Sequence, residues 1–109
     1  MPLLKGTLDL LVLKALSWGP RHSFEIISWI ESRSEGRLEI TDAAMLQAFH
    51  RMEERDLITA EWARTSNDRR ARYYRLTAAG RAGLRADGDA LLDHIHALRR
   101  VLTARTSAG

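Results

Sequence analysis

The sequence predicts a mainly α chain carrying one small β-hairpin, and three observations predict it. Two short amphipathic helical patterns occupy the first third of the 109 residues, and a third helical block follows from Thr41 to Arg55. The chain then switches to strand chemistry over Leu57 to Arg64 and again over Arg69 to Leu76, with the polar turn Thr65-Ser66-Asn67-Asp68 between them. A last helical pattern runs from Thr77 to Leu102, with apolar positions spaced alternately four and three residues apart. Two helices, a third helix and then a basic hairpin is the order of a winged helix-turn-helix, extended here by a long C-terminal dimerisation helix. The organisation that follows is a winged domain over 1–76, a dimerisation helix over 77–102 and a flexible tail over 103–109.

Size and composition narrow the class. A chain of this length makes a single core, small enough that pairing with a second copy would add stability. Apolar residues form 45% of it, too many for a disordered tail. Cysteine is absent, which excludes disulfides and thiolate metal sites and suits a reducing cytoplasm. The leucine-rich run from Leu8 to Leu16 contains Asp9 and Lys14, too short and too charged to span a bilayer or to act as a secretory signal core.

Charge placement says more than the net charge of +3. Residues 57 to 81 hold Arg64, Arg69, Arg70, Arg72, Arg75 and Arg81 against only Glu61 and Asp68, so the cationic excess gathers on the hairpin. Only Lys5 and Lys14 are lysine. Arginine's planar fork binds phosphate oxygens or a guanine edge in a bidentate way. An arginine-rich proteome would account for arginine over lysine, but not for the concentration on one hairpin. The placement therefore favours double-stranded DNA as partner.

Each element has a local reason. Thr7 is expected to cap the first helix, with Asp9 in its first turn, and Leu8, Leu11, Val12, Ala15 and Leu16 repeat at helical spacing until Gly19-Pro20 ends it. The second helix is expected over Ser23 to Ser34, with Phe24, Ile27 and Ile30 on one face, Ile26 and Trp29 beside them, and Gly36 as its stop. Leu38-Glu39-Ile40 reads as a brief extended segment.

The third helix is the expected reader. At 3.6 residues per turn, Met45, Phe49 and Met52 fall within about 60° of one another and point inward, with Ala48 on their flank. Ala43, Gln47, His50, Arg51 and Glu54 fall opposite, with Ala44 beside Arg51. Small Ala43 and Ala44 would let the backbone approach a duplex, Gln47 can pair with adenine, Arg51 can reach guanine or phosphate, and His50 lies within reach. A polar face of this kind is also what any surface helix shows. The two helices ahead and the basic hairpin behind favour the DNA reading.

In the hairpin, Ile58, Ala60 and Trp62 share one face while Thr59, Glu61 and Ala63 share the other. Arg69, Arg70 and Arg72 are the expected phosphate or minor-groove contacts. Tyr73 and Tyr74 point to opposite faces, one toward the core and one free to donate to a phosphate; Tyr73 is taken as the contact. In the final helix Leu84, Leu91, Ile95, Leu98 and Leu102 form a seam with Gly88 as its weak position, and Leu92 widens it. Because the winged domain is already complete upstream, a second copy of the chain is the expected partner for that seam, giving a homodimer.

Catalysis and metal binding find little support. His94 and His96 lie two apart on a helix and point to different faces, Glu53-Glu54 is a solvated helix surface, and no phosphate-cradling glycine loop occurs. No cofactor, metal site or catalytic residue is expected. Gly80, Gly83 and Gly88 sit inside the final helix, as close contacts or points of flexibility. Trp18, Trp29 and Trp62 are each read as core.

Three motifs resemble one family. Leu3-Leu4-Lys5-Gly6-Thr7-Leu8-Asp9-Leu10-Leu11-Val12-Leu13, His50-Arg51-Met52-Glu53-Glu54-Arg55 and Arg70-Ala71-Arg72-Tyr73-Tyr74-Arg75-Leu76-Thr77 follow in order, and together they resemble the PadR family of bacterial transcriptional regulators, in its short subgroup with one C-terminal helix. The resemblance covers residues 3 to 85. It implies a cytoplasmic homodimeric repressor acting on a palindromic operator. Some multidrug-sensing relatives hold flat aromatic compounds at the dimer interface, so a small aromatic effector is a further partner the resemblance implies, although no effector site is assigned.

The chain departs from the family in three places. Ala43-Ala44-Met45-Leu46-Gln47 stands where relatives usually have Gly-Ser-Leu-Tyr-Pro, so Ala44 and Leu46 replace hydroxyls that commonly touch DNA. His22-Ser23-Phe24 replaces His-Gly-Tyr, and Asp56 stands where glycine usually follows the helix. The function read here is sequence-specific repression by a homodimer on a pseudo-palindromic operator. The alternatives are a winged-helix protein-interaction module, or a ligand-responsive sensor with a dimer-interface pocket.

Overall fold

The structure, a computed structural model, describes residues 6–106. Its elements are α1 (Thr7–Leu16), β1 (Arg21–His22), α2 (Ser23–Arg33), α3 (Asp42–Glu54), β2 (Ile58–Arg64), β3 (Arg70–Leu76) and α4 (Ala78–Leu102). The strands form one antiparallel sheet in the order β1-β3-β2. This is the winged helix-turn-helix arrangement expected from the sequence. Leu3, Leu4 and Lys5 of the opening motif, and residues 107–109 of the expected tail, lie outside the described residues.

The core forms where α1, α2, α3 and the base of the hairpin meet. Val12, Leu16, Ile26, Met45, Phe49, Met52 and Ile58 are fully buried. On α3 the inward set is the one its periodicity predicts, and Ala48 joins it. Tyr74 is the tyrosine that turns inward, its ring stacked on Phe49 at 3.8 Å between centroids. Burial pushes the pKa of its hydroxyl up, while the nearby Arg72 charge pulls the other way.

Several expectations are corrected. Gly6, with φ 86°, rather than Thr7, is the N-cap of α1. The sheet has a third strand that the sequence did not announce, Arg21–His22, whose two residues pair with Tyr74 and Tyr73. So short a strand leaves no alternating pattern to read, because its partner strand creates it. On α2 the buried face centres on Ile26 and Ile30, and Phe24 is 75% exposed instead of sharing the inner face. Trp18 and Trp62 are each 61% exposed, so the core reading fails for both, and only Trp29 packs against the core.

Helix ends are fixed by local chemistry. His22 caps α2 through an imidazole nitrogen: its Nδ1 accepts from the Glu25 backbone N–H at 3.3 Å, and its own N–H donates to Glu25 Oε1 at 3.1 Å. Thr41 Oγ1 accepts from Ala44 N–H at the start of α3. α3 ends with Asp56 in the left-handed region at φ 58°, where Asp56 N–H donates to Glu53 O and Leu57 N–H donates to Met52 O.

The same corner roots α4. Leu57 O accepts from Thr77 N–H, Thr77 Oγ1 donates to Asp56 O at 2.6 Å, and Thr77 Oγ1 also accepts from Gly80 N–H. Gly80 lies so close to the Leu57 carbonyl that any side chain would collide with it. Of the three helix glycines, this one explains itself by close approach; Gly88 has open space around its missing Cβ.

Candidate nucleic-acid interface

From its base the hairpin extends beyond the core and leaves a groove between β3, the start of α2 and the flank of α3. Cross-strand register sets its lining, pairing Ala60 with Tyr74, Trp62 with Arg72 and Arg64 with Arg70. Side chains alternate along a strand, so Trp62, Arg70, Arg72 and Tyr74 share the face turned toward α3. With Phe24, Leu46, Phe49 and Arg69 they line an open groove of about 820 Å³.

On α3, Ala43, Gln47 and His50 are exposed and carry no side-chain bond within the described residues. Ala44 is half-buried against the core, beside Arg51 around the helix. Arg51 sits on that same flank, and its guanidinium grips Asp9 of α1. Arg51 Nη2 donates to Asp9 Oδ1 at 2.7 Å, and a longer bond runs from Nε to Oδ2 at 3.4 Å. The hydrogen bond to Asp9 pushes the Arg51 pKa further up, against a small opposing desolvation. α3 is therefore tied to α1 by the residue the sequence offered as a base reader.

The hairpin arginines divide into two groups. Arg64 pairs with Asp68 at 3.0 Å, Arg72 with Glu53 at 3.1 Å and Arg75 with Glu61 at 2.9 Å. Arg69 and Arg70 make no ion pair among the described residues, and both are exposed. Arg70 instead stacks on the Trp62 ring, its guanidinium carbon 4.9 Å from the centroid. Exposed ion pairs contribute no more than about 1 kcal/mol, so a phosphate could displace the Glu53 carboxylate from Arg72.

Tyr73 is not brought to this groove. It lies on the opposite face of β3, edge-on to His22 at 5.3 Å. The residues that sequence reasoning missed are Phe24, Leu46 and Trp62, which form the groove's apolar floor. Leu46 left a signal, since it falls about 100° from Met45 around the helix, outside the inward arc. Trp62 left none, because its exposure depends on how far the hairpin outreaches α3.

α4 packs its first turns on α1, with Leu84 against the core and Leu91 half-buried. Beyond that point Leu92, Ile95, Leu98, Val101 and Leu102 are exposed. The projecting helix stretches the molecule to 64 × 28 × 22 Å. Among the described residues no helix is long and apolar enough to cross a membrane, and no three His, Asp or Glu side chains gather as a metal set. Trp18 and Trp29 meet edge to face at 5.4 Å, with Lys14 over the Trp18 ring.

Residues 12–86 match the profile of the transcriptional regulator PadR-like family. A protein of Lysinibacillus sphaericus, described as uncharacterized protein X, is 29% identical over 82 residues, which is 75% of either chain. A transcriptional regulator from Clostridium thermocellum superimposes with a TM-score of 0.78 at 21% identity, over 88% of this chain and 90% of that one. A PadR-like transcriptional regulator from Bacillus cereus gives 0.80 at 18% identity, over 94% and 97%. Bacillus subtilis PadR, solved in complex with operator DNA, gives 0.63 at 17% identity, over 72% of this chain and 44% of that one.

Proposed function

The chain belongs to the PadR-like family of transcriptional regulators, and from that premise we propose that two copies repress transcription by gripping a pseudo-palindromic operator. Each copy inserts α3 into a major groove and lays its hairpin on the neighbouring backbone. One observation carries this reading: the flank of α3 borders the same open groove as Arg69 and Arg70, which make no ion pair among the described residues.

Within that reading, Gln47 and His50 face base edges, and Ala43 and Ala44 let the helix backbone approach. Arg69 and Arg70 contact phosphates, with Arg72 available by exchange from Glu53. Arg51 acts by holding α3 against α1. Tyr73, on the far side of β3, braces His22. The apolar stripe of Leu84, Leu91, Leu92, Ile95, Leu98 and Leu102 meets its copy on a second chain. Two recognition helices would then lie about 34 Å apart, one turn of duplex. The operator of the Bacillus subtilis relative is a parallel for the partner, and the B-form major groove fits a single helix. Quenching of tryptophan fluorescence by flat aromatic compounds tests for a small aromatic effector.

A second reading has its own support. Phe24, Leu46 and Trp62 expose large apolar surfaces, which would suit a winged-helix module that binds protein. Selection of duplexes from a random pool at two salt concentrations, with sedimentation of the free protein, separates the two. A two-fold-symmetric consensus bound by a dimer is the expected result. A monomer that enriches no duplex, even in dilute buffer, overturns the repressor reading in favour of the protein-binding one.

A further inference from the structure

The groove between α3 and the hairpin has an apolar floor under a cationic rim. Phe24, second residue of α2, is 75% exposed, and Leu46 of α3 is 57% exposed. Both line the same groove as Arg69 and Arg70. Left in water, a phenyl ring and an isobutyl group forgo the gain of burial. Aimed at phosphate, they would dehydrate an anion without offering a donor. A partner that suits both the rim and the floor is a polyanion that also presents apolar groups. The major groove of a duplex does so at one kind of atom, the C5-methyl of thymine.

Leu46 is well placed for such a contact. Around the helix it lies about 40° from His50 and about 60° from Ala43, so it borders the exposed ridge of α3. Resting on the DNA-binding reading above, the geometry points to Leu46, with Phe24 beside it, as a specificity determinant that reads thymine methyl groups in the operator half-site. Gln47 and His50 supply hydrogen bonds to base edges, and Leu46 supplies shape and apolar contact where a hydroxyl would supply neither. Trp62 is left to hold Arg70 over its ring, which keeps the cation at the rim.

The test uses the full chain and the duplex enriched from the random pool. Each thymine is replaced in turn by deoxyuridine, which removes one methyl group and changes nothing else. One or two positions per half-site are expected to weaken binding about fourfold, the order of one buried carbon group. Leu46→Ala should lose a similar factor on the thymine duplex and become indifferent to deoxyuridine at one of those positions. Leu46→Met should restore most of the discrimination. Because Leu46 is exposed, an unchanged thermal melt is expected for both variants.

Two outcomes overturn the inference while leaving DNA binding intact. In one, every deoxyuridine duplex binds as tightly as its thymine parent. In the other, sensitivity appears only when cytosines are replaced by 5-methylcytosine, which moves the recognised methyl to a different base. Failure to bind any duplex removes the premise as well, and so is told apart from both.

Discussion

Arg51 of α3 and Asp9 of α1, 42 residues apart in sequence, hold one another at 2.7 Å. The carboxylate is mostly sheltered and the guanidinium half-exposed. The pair ties α3 to α1, and so bears on the angle at which α3 would meet bases under the proposed function. In the free protein the same pair occupies the guanidinium that a base or phosphate would otherwise meet.

Arg51→Ala and Asp9→Asn distinguish holding from reading. If Arg51 works through Asp9, both variants should weaken operator binding by similar factors and each should cost up to about 1 kcal/mol in stability, the range of a part-exposed pair. Were Arg51 a direct base contact, Asp9→Asn would free it and binding would hold or improve. Titration of labelled operator, beside urea denaturation, checks the pattern.

Arg70 and Arg75 provide a paired comparison on one strand. Arg70 has no carboxylate partner among the described residues, whereas Arg75 is bound to Glu61. Arg70→Ala in both copies should flatten the slope of log affinity against log salt by about 1.8, two phosphate contacts per dimer. Arg75→Ala should change the slope less. Equal slopes for the Arg70 variant and the parent protein would remove the hairpin from the interface.

Gly80→Ala tests the join between hairpin and final helix. The added methyl meets the Leu57 carbonyl oxygen, a backbone atom that cannot rotate away. A loss of about 1–3 kcal/mol is expected, as for overpacking elsewhere. Gly88→Ala, with open space around it, should instead stabilise α4 by up to about 1 kcal/mol. Urea midpoints of the two variants should move in opposite directions.

Asp56→Gly should stabilise the protein. Asp56 holds φ 58°, a conformation that costs an ordinary residue about 1–2 kcal/mol and aspartate less. Its side chain makes no hydrogen bond within the described residues, so glycine gives up little in the folded state. Glycine's greater freedom in the unfolded chain takes back about 0.4–1 kcal/mol of that relief, so the net gain by urea denaturation is expected to be no more than about 0.5 kcal/mol.

Legibility in the sequence followed the range of the forces involved. The inner face of α3, the alternation of β2 and β3 and the stripe on α4 repeat at their own helical or strand period, so each was readable from neighbours a few residues away. The two-residue β1 has no period of its own and exists because Tyr73 and Tyr74 pair with it. The direction of α2 was ambiguous because Phe24, Ile26, Ile27, Trp29 and Ile30 offer more apolar surface than one face can bury. At the site, the exposed ridge of Ala43, Gln47 and His50 was legible. The fates of Arg51 and Arg72 were not, since Asp9 and Glu53 reach them only through the fold. Tyr74 turned inward because Phe49 offered its ring face.

The root of α4 has a mechanical consequence. Leu57 O receives Thr77 N–H and abuts Gly80, so the corner where β3 ends and α4 begins has almost no slack. Beyond its packing on α1, the stretch of α4 from Leu92 to Leu102 makes a free arm of about 16 Å, along which a 10° tilt becomes about 3 Å at the tip. That displacement approaches one base-pair step. In the proposed dimer, the distance between the two α3 helices would thus depend on this corner and on the seat of α4 against α1, far from any base.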